Sequence, residues 1–429
     1  MTHQAPGTGP AAAKSPPALT GAAWLTAPPA AAVLHVLTEN GGAARVVGGA
    51  VRNALMGLPV IDIDIATPLP PQEVIARAAR AGLTAHPTGL AHGTVTLVAQ
   101  HVPFEVTTLR RDVETFGRHA TVAFTDDWSA DAARRDFSMN ALYCDPDGTV
   151  HDPLGGYPDL AARRVRFIGD AEERIREDYL RILRFFRFHA TYGRGAVDPA
   201  GLAAAVARKE GLATLSAERV RSEVLKLLVA DGAGPAATAM DDAGIASLVI
   251  GGPVDPGRLV RLAEIEAHLG RQPDAMARLA ALAATPPFDA DPLASRLRLS
   301  ASECRRLAEA MAGVSAPLSP TDGEEANRAA LYRAGPAAFI ARALLAWAAS
   351  DAPVAASDWN DLVRLPERWT APFFPVTGAD VIALGIAPGP SVGRVLRDVE
   401  AWWIAAGFPA DGPHLRATLA RFAATAAAG

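Results

Sequence analysis

The sequence has 429 residues, of which 50% are hydrophobic and 20% are charged, and its formal net charge is −5 at pH 7. A chain of this length exceeds what one hydrophobic core usually supports, so we expect a globular protein of two or more domains. The negative charge argues against a protein that binds nucleic acid over its whole surface, although it leaves room for a local basic patch.

The sequence also bears on the compartment of the protein. No apolar run approaches the ~20 residues of a membrane helix, so no membrane association is expected. Residues 1–22 lack the charged start and apolar block of a secretory signal and are predicted to be a disordered N-terminal segment. The two cysteines, Cys144 and Cys304, indicate neither a disulfide framework nor a zinc site. These features predict a cytoplasmic protein, with no obligate protein partner evident.

The first third of the chain alternates between strand and helix patterns. Runs rich in Val, Ile and Thr predict strands at residues 58–67, 94–99 and 102–108. Between them, the apolar spacing of residues 71–81 predicts a helix. An Asp-Pro-Asp-Gly turn predicts a hairpin over residues 142–150.

From about residue 156 onward, the strand patterns mostly stop. Helical periodicity with few β-branched residues covers residues 171–192, 199–209 and 216–230, as well as many later segments. The sequence therefore predicts an α+β fold, in which a mixed-sheet head is followed by all-helical segments.

A pair of glycines, Gly48 and Gly49, ends the first apolar stretch and opens a predicted helix. Glycines allow a ligand to approach the backbone closely, and the N–H groups at a helix start favour an anion. Arg52 lies three residues into this helix, where it is suitably placed to contact a triphosphate. A Gly-Gly turn alone is more often structural, so its interpretation depends on the residues that follow.

Asp62 and Asp64 follow within the predicted strand at residues 58–67. Side chains two apart on a strand project from the same face, and two close carboxylates are costly unless divalent cations neutralise them. Mg²⁺ prefers carboxylate oxygens and substrate phosphates, and two such ions can activate a hydroxyl and stabilise a departing pyrophosphate. Glu105, in another predicted strand, is a candidate third carboxylate. The alternatives are a solvated acidic pair and an outward-facing strand glutamate.

A second polar block occupies residues 134–142. Its Arg135 offers a phosphate donor, Asp136 a sugar-hydroxyl acceptor and Asn140 a second polar anchor. Taken alone, the block is explained equally well as the polar cap of a helix.

Asp178 and Arg181 lie in the strongly helical stretch at residues 177–188, where a spacing of three predicts neighbours on the helix surface. Asp accepts from an exocyclic amine and Arg donates to ring nitrogens or carbonyls, so the pair could recognise cytosine or adenine. Arg184 can lean toward Arg181, whereas Arg187 lies nearly opposite Asp178 and is supported least by helix geometry. An ordinary solvated ion pair is the alternative.

Together these blocks resemble those of the class II tRNA nucleotidyltransferase and bacterial poly(A) polymerase family of the polymerase-β superfamily. Four blocks match in order: Gly-Gly-Ala-Val-Arg with Asp-x-Asp, Arg-Arg-Asp-Phe-Ser-Met-Asn-Ala-Leu, Glu-Asp-Tyr-Leu-Arg-Ile-Leu-Arg, and Leu-Ser-Ala-Glu-Arg-Val with Glu223. They cover roughly residues 40–230, and their joint occurrence is highly specific. The C-terminal half matches only in being helical.

The resemblance implies a catalytic nucleotidyltransferase head at residues 23–155. It implies a helical neck that recognises the base at residues 156–230, and a helical body and tail that bind tRNA at residues 231–429. By the family pattern, Gly49 and Arg52 contact the triphosphate, and Asp62 and Asp64 bind Mg²⁺. The pattern also places five residues around the incoming ATP or CTP: Arg135, Asp178, Arg181, Arg184 and Arg187.

Three features bear on the choice within the family. The family often has Asp after Gly-Gly-x-Val-Arg, whereas this chain has Asn53, which puts an ionic role there in doubt but not the metal site. Residues 110–118 resemble the flexible loop that CCA- and A-adding members retain and CC-adding members lack. The strongly basic C-terminal tail of poly(A) polymerases is missing.

The resemblance therefore implies addition of CCA to a tRNA 3′ end from CTP and ATP, with release of pyrophosphate. A-only addition to tRNA and poly(A) synthesis are the enzymatic alternatives. A non-catalytic RNA-binding protein descended from such an enzyme is a third hypothesis. The intact Asp62, Asp64 and Glu105 argue against this third reading.

Overall fold

The computed structural model describes residues 15–116, 119–283, 289–409 and 412–428. The chain divides into two compact units, residues 1–249 and 250–429. The predicted α+β fold is confirmed, because a mixed sheet in the first unit precedes a long series of helices. In the described ranges, we find no helix with the length and apolar character needed to cross a membrane.

The first unit contains all of the strands in the described ranges. They are β1 (Arg45–Val47), β2 (Asp64–Thr67), β3 (Thr84–Gly89), β4 (Thr94–Ala99), β5 (Val102–Thr108), β6 (Arg110–Phe116), β7 (His119–Phe124), β8 (Tyr143–Cys144) and β9 (Val150–His151). The main sheet has the order β3-β4-β5-β2-β1-β8-β9, and β6 pairs with β7 in a separate two-stranded sheet. Only β2 and β5 pair in parallel.

The helices of the first unit lie before, between and after these strands in the sequence. They are α1 (Ala23–Thr26), α2 (Pro28–Thr38), α3 (Gly49–Leu55), α4 (Pro71–Arg80), α5 (Trp128–Ala133), α6 (Tyr157–Ala161), α7 (Ala171–Glu177), α8 (Leu180–Tyr192), α9 (Pro199–Arg208), α10 (Ala217–Leu228) and α11 (Ala233–Asp242). A further helix, α12 (Ala246–Ile250), ends at the boundary between the units. Helices α2 and α4 pack on β4 and β5, whose inward side chains alternate with exposed ones.

All of the regular secondary structure in the described residues of the second unit is helical. Its helices are α13 (Pro256–His268), α14 (Ala275–Ala283), α15 (Ala290–Leu297), α16 (Ala301–Ser315), α17 (Glu324–Ala334), α18 (Pro336–Ala349), α19 (Ser357–Val363), α20 (Leu365–Arg368), α21 (Gly378–Ala383), α22 (Pro390–Ala405) and α23 (Gly412–Ala428). Trp347 is fully buried and stacks on Trp359, with ring centroids 6.0 Å apart. A separate apolar cluster near the C-terminus centres on Val399 and Trp403.

The register of the sheet places the ends of β1 and β2 beside the middle of β5. Val47, the last residue of β1, lies opposite Asp64, the first residue of β2. Asp64 in turn lies beside Glu105, in the middle of β5. The turn at Gly48 and the two carboxylates therefore lie close together on neighbouring strands.

Most of the predicted strands and the predicted helix are confirmed, but one strand is much shorter than expected. The strands at residues 94–99 and 102–108, the hairpin at 142–150 and the helix at 71–81 all match. The strand predicted at residues 58–67 begins only at Asp64. Pro59 lacks an N–H to donate, and β1 offers partners only as far as Asp64. The expectation that Asp62 lies on the strand with Asp64 is therefore wrong.

The helix predicted across residues 171–192 is also interrupted. Asp178 has an extended backbone (φ −155°, ψ 108°) between α7 and α8. Its Oδ1 accepts the N–H of Leu180 at 3.1 Å, a local bond that competes with a continuous helix. Asp178 and Arg181 therefore do not share one helix surface, and the prediction of a direct i,i+3 pair is wrong.

Two further predictions concern the N-terminal segment and the loop at residues 110–118. Of the N-terminal segment predicted to be disordered, residues 1–14 lie outside the described residues. The N–H of Leu19, however, donates to the carbonyl of Gly148 at 2.8 Å, so ordered contacts begin before residue 23. The loop at residues 110–118 contains β6, and Gly117 and Arg118 lie outside the described residues.

The aromatic packing of α8 generates a stability prediction. Phe185 is completely buried, and its ring centroid lies 5.4 Å from that of Phe167 and 6.4 Å from that of Phe137. Phe185→Ala is expected to lower the free energy of unfolding by about 3–5 kcal/mol, because it leaves a cavity in the core. The same substitution at Phe373, which is 97% exposed, should change it by less than about 0.5 kcal/mol. Calorimetric unfolding of both variants tests this, and equal effects would contradict the packing.

Candidate active site

The turn after β1 depends on glycine. Gly48 has φ +71°, a left-handed conformation that favours glycine, and its N–H donates to the carbonyl of Leu142 at 3.1 Å. A Cβ there would lie 3.6 Å from the Arg135 guanidinium and 3.7 Å from the carbonyl oxygen of Asn140. The chain can therefore turn from β1 into α3 with its backbone close to this polar block.

Arg52 of α3 is buried among neutral partners. Its Nη1 donates to Oδ1 of Asn140 at 2.5 Å, and its Nη2 donates to the Tyr192 hydroxyl at 2.7 Å. The Oδ1 of Asn53 accepts from Nε and Nη2 at 3.2 and 3.0 Å. The guanidinium also lies 5.3 Å from the ring centroid of Phe188. Burial lowers the pKa of Arg52, because the charged form has lost water.

The buried carboxylate of Asp131 binds the guanidinium of Arg135. Its Nη2 donates to Asp131 at 3.0 Å, and its Nε donates to the Tyr143 hydroxyl at 3.3 Å. The same hydroxyl donates to Asp131 at 2.8 Å, and Arg134 donates to the other oxygen of this carboxylate. Asp131 is only 1% exposed, so these contacts fix the Arg135 guanidinium at the wall of the cleft.

Asp136 joins the polar block to α8. The sequence predicts it as a sugar-hydroxyl acceptor, yet both of its oxygens already accept internal bonds. Oδ1 accepts from Asn140 and from the N–H of Phe137, each at 2.9 Å, and Oδ2 accepts from Nε and Nη2 of Arg184. Burial opposes the charge of Asp136, but Arg184 and these hydrogen bonds outweigh it and lower the pKa. The contacts make Asp136 an anchor for Asn140 and Arg184.

The base-reading candidates have partners that the sequence did not predict. Asp178 accepts from Arg219 at 2.6 Å rather than from Arg181. Arg181 pairs with Glu177 and donates to the carbonyl of Arg174 at 2.7 Å. Both side chains still face the same cleft.

Arg187 points elsewhere. It pairs with Glu223 on α10, and its guanidinium lies 4.5 Å from the ring centroid of Phe188. Arg187 is not part of the cleft wall, as helix geometry indicated, although the family resemblance had placed it at the nucleotide.

A single cleft of about 460 Å³ brings most of the predicted residues together. Its wall includes nine of the ten predicted nucleotide-binding residues and one of the predicted carboxylates. These are Gly48, Gly49, Arg52, Arg135, Asp136, Asn140, Asp178, Arg181 and Arg184, together with Asp64. The wall also includes Leu180, Phe188 and Arg219, to which the sequence assigned no role. Of the remaining candidates, Asp62, Glu105 and Arg187 are not in the wall.

Asp64 stands at the mouth of this cleft with two other acidic side chains nearby. Partial burial of its carboxyl group raises the pKa of Asp64, as do the charges of Glu105 and Asp62, while Arg135 lowers it. None of the described residues donates a hydrogen bond to these three carboxylates. The described residues also provide no group of three acidic, His or Cys side chains close enough to enclose an ion.

The donor set nevertheless fits a divalent cation that brings its own ligands. Hard cations such as Mg²⁺ favour one or two carboxylates plus waters and substrate phosphates over an all-protein cage. Asp62, Asp64 and Glu105 each keep exposed surface, and the charges of Asp62 and Glu105 disfavour ionised Asp64 in the absence of a cation. Of these three carboxylates, Asp64 lies in the cleft wall, and Glu105 lies beside it in the sheet.

Sequence reasoning missed several supporting residues, because their partners are distant along the chain. Arg219 and Glu223 lie in or beside the Leu-Ser-Ala-Glu-Arg-Val block, which marked them without revealing their partners. Asp131 and Tyr192 belong to no block, and their contacts cannot be derived from local periodicity.

This chain is similar to several known proteins. A model of the poly A polymerase head domain matches residues 44–166. The mitochondrial CCA tRNA nucleotidyltransferase 1 of Danio rerio is 34% identical over 404 residues, covering 90% of this chain and 89% of that protein. The CCA-adding enzyme of Lacticaseibacillus paracasei is 30% identical over 391 residues, covering 88% and 92%. The crystal structure of the Bacillus stearothermophilus CCA-adding enzyme with CTP superposes with a TM-score of 0.73 at 26% identity, covering 92% and 97%.

The raised pKa of Asp64 gives a testable pH dependence. Ionised Asp64 is disfavoured in the folded protein. The free energy of unfolding of the metal-free protein should therefore fall as pH rises from the pKa of Asp64 in the unfolded chain through its raised pKa in the folded protein. Asp64→Asn removes this loss, so its melting temperature at neutral pH in a chelator should exceed that of the wild type. Calorimetry from acidic to neutral pH measures the difference.

The matched control is Asp126→Asn, which neutralises an exposed carboxylate outside the cleft wall and should behave as the wild type. An excess of divalent cation should stabilise the wild type and the control more than Asp64→Asn. If Asp64→Asn is no more stable than the wild type at any pH, the electrostatic interpretation of the Asp64 pKa is contradicted.

Proposed function

Because the chain belongs to the family of CCA tRNA nucleotidyltransferases, we propose that it adds CCA to the 3′ end of tRNA from CTP and ATP, with release of pyrophosphate. The observation that supports this most is the single cleft that joins Arg52, Asp64 and Asp178. It offers one group for each part of the substrate: a cation for the phosphates, a carboxylate for a metal, and an acceptor for the base amine.

The phosphate end of the nucleotide is proposed to lie against Arg52 and Arg135. Arg52 is a buried cation that has no carboxylate within ion-pair distance among the described residues. Such a charge is costly until an anion approaches it, so the triphosphate relieves this cost on binding. Arg135 is already oriented by Asp131, which reduces the entropy lost when the phosphates bind.

The family uses divalent ions, and we propose Mg²⁺ at Asp62 and Asp64 with Glu105 as a neighbouring carboxylate. When bound, Mg²⁺ would supply activation of the primer hydroxyl and charge stabilisation of the departing pyrophosphate. The contribution of the chain is to keep these carboxylates exposed and free of competing hydrogen-bond donors.

The base is proposed to be recognised by Asp178 and Arg181 without a nucleic-acid template. Asp178 uses one oxygen for the N–H of Leu180 and the other for Arg219, and each carboxylate oxygen can accept more than one bond. Asp178 therefore retains acceptor capacity for the exocyclic amine of cytosine or adenine. Arg184, which Asp136 orients, is proposed to lie at the nucleotide, and Arg187 is proposed to act indirectly, through Glu223 and Phe188.

The remaining assignments follow from this placement. Residues 23–155 are proposed as the catalytic head and residues 156–230 as the neck that recognises the base. Residues 231–429 are proposed as the body and tail that bind the tRNA. A cytoplasmic location is consistent with two free thiols, Cys144 and Cys304.

The reaction can be tested on a tRNA that lacks its terminal CCA. We expect the chain with Mg²⁺ to incorporate CTP twice and then ATP, with one pyrophosphate released per nucleotide. Asp64→Ala should reduce the rate by at least about 1000-fold, because positioning and charge stabilisation provide most of the catalysis. Gel-resolved products and pyrophosphate release measure both quantities.

The same assay distinguishes the alternatives. ATP-only incorporation on a primer ending in CC would identify A-only addition, and long adenosine products would identify poly(A) synthesis. No incorporation of either nucleotide by the wild type would exclude catalysis and favour an RNA-binding role.

Substitution of Asp178 tests the proposed base contact. Asp178→Asn keeps the shape but adds an amide donor, which can bond to the carbonyl oxygen of uracil where a carboxylate repels it. Discrimination of CTP over UTP should therefore fall by about 10- to 100-fold, as expected for one base contact. Competition between CTP and UTP measures the ratio. Asp241→Asn on α11, outside the cleft wall, is the control and should leave the ratio unchanged.

A further inference from the structure

The last turn of α8 contacts the Arg52 guanidinium in the cleft wall. Tyr192 is the last residue of this helix. Its hydroxyl accepts from Nη2 of Arg52 at 2.7 Å, and its ring centroid lies 4.0 Å from the central carbon of the guanidinium. Tyr192 therefore holds Arg52 in two ways, by a hydrogen bond from a charged donor and by a cation–π contact.

One face of α8 runs along the cleft and ends at Arg52. Arg184, Phe188 and Tyr192 are spaced by four residues, so they lie on the same face of the helix. The rings of Phe188 and Tyr192 are 5.4 Å apart, and both rings contact the Arg52 guanidinium. Arg184 and Phe188 belong to the cleft wall, whereas Tyr192 does not. An effect of Tyr192 on a ligand in the cleft must therefore pass through its neighbours.

The way in which α8 ends keeps Tyr192 in a closed turn. The N–H of Gly193 donates to the carbonyl of His189 at 2.8 Å, which closes the last turn of the helix. A Cβ at Gly193 would lie 2.7 Å from that same carbonyl oxygen, which is closer than side chains approach. Glycine therefore allows the chain to leave α8 directly after Tyr192 without opening the turn.

The hydrogen bond from Arg52 to Tyr192 joins the proposed head directly to α8. Arg52 donates to three side chains among the described residues, and two of them, Asn53 and Asn140, lie in the head. The third, Tyr192, lies on the helix that also carries Arg181, a proposed base contact. An arginine side chain has several rotatable bonds, so contacts that fix it in advance reduce the entropy lost when a ligand binds.

We propose that Tyr192 is a positioning residue for the nucleoside triphosphate. It holds the Arg52 guanidinium against the end of α8, so that the helix proposed to read the base also sets where the phosphates bind. This inference rests on the proposed function, because it concerns the same cleft. It assigns to Tyr192 a role in binding the phosphates common to CTP and ATP, and none in choosing the base.

Two substitutions separate the hydroxyl of Tyr192 from its ring. Tyr192→Phe removes the hydrogen bond to Arg52 and keeps the cation–π contact, whereas Tyr192→Leu removes both and keeps an apolar side chain. The matched controls are Tyr157→Phe and Tyr157→Leu. Tyr157 is a partly exposed residue at the start of α6, outside the cleft wall.

The first measurement is steady-state kinetics with CTP and ATP on the matching tRNA primers. Tyr192→Phe is expected to raise KM about threefold and Tyr192→Leu about tenfold, in each variant by the same factor for both nucleotides. The turnover number kcat should change less than KM, because the contact acts on binding. Both Tyr157 variants should keep the wild-type constants.

Calorimetric binding of inorganic tripolyphosphate provides a readout that does not require turnover. The two Tyr192 variants should weaken its binding by the same factors, while their melting temperatures stay close to those of the Tyr157 variants. The titration is repeated with Arg52→Ala. In that background, Tyr192→Phe should cause no further loss of affinity, because the side chain that Tyr192 positions is missing.

Three results would overturn the proposal. A base-reading role would change the ratio of the KM values for CTP and ATP. A purely structural role would lower the melting temperature and leave the tripolyphosphate affinity of the folded protein unchanged. A role independent of Arg52 would give the same loss of affinity with Arg52 present and with Arg52→Ala.

Failure of the proposed function gives a different result. If the wild type incorporates no nucleotide, CCA addition is wrong, and the tripolyphosphate measurement still decides whether Tyr192 supports phosphate binding. If the wild type is active but Tyr192→Leu matches it in both KM values and in tripolyphosphate affinity, only the role of Tyr192 is wrong.

Discussion

The ion pair between Asp136 and Arg184 joins the two walls of the cleft. Asp136 follows α5 in the polar block beside the sheet, whereas Arg184 lies on α8. Because both partners are largely enclosed by protein, losing either one would leave an uncompensated charge in a region poor in water. Asp136 also holds Asn140, which in turn accepts from Arg52. This series of three contacts links α8 to the Arg52 guanidinium in the cleft wall.

Most of the charged residues in the cleft wall form ion pairs with residues of opposite charge, whereas Arg52 and Asp64 do not. The matched arginines each have a carboxylate partner: Arg135 with Asp131, Arg181 with Glu177, Arg184 with Asp136, and Arg219 with Asp178. Arg52 instead has neutral acceptors, and Asp64 faces other carboxylates with only Arg135 to offset them. The charge of Arg52 is therefore available to an anion, and that of Asp64 is available to a cation. In the proposed mechanism, a nucleoside triphosphate with a divalent ion would supply both at once.

Local sequence patterns predicted this cleft where its geometry is local. The turn at Gly48 requires a left-handed residue, and the strands at residues 94–99 and 102–108 alternate in burial as their sequences do. The contact between Arg219 and Asp178 joins residues 41 apart and has no periodic signature. The break at Asp178 was missed for another reason: helical spacing continues through α7 and α8, while one side-chain bond to Leu180 decides that the helix stops.

That break has a consequence for base recognition. Because Asp178 lies between α7 and α8, its carboxylate is fixed by the N–H of Leu180, the first residue of α8, and by Arg219 on α10. The amines of cytosine and adenine are equivalent donors to such a group, whereas uracil presents a carbonyl oxygen at the same ring position, which the carboxylate repels. In the proposed mechanism, Asp178 therefore rejects uracil without distinguishing between cytosine and adenine. The order C, C, A must then arise from a contact that senses ring size or primer length, and this carboxylate need not move between the steps.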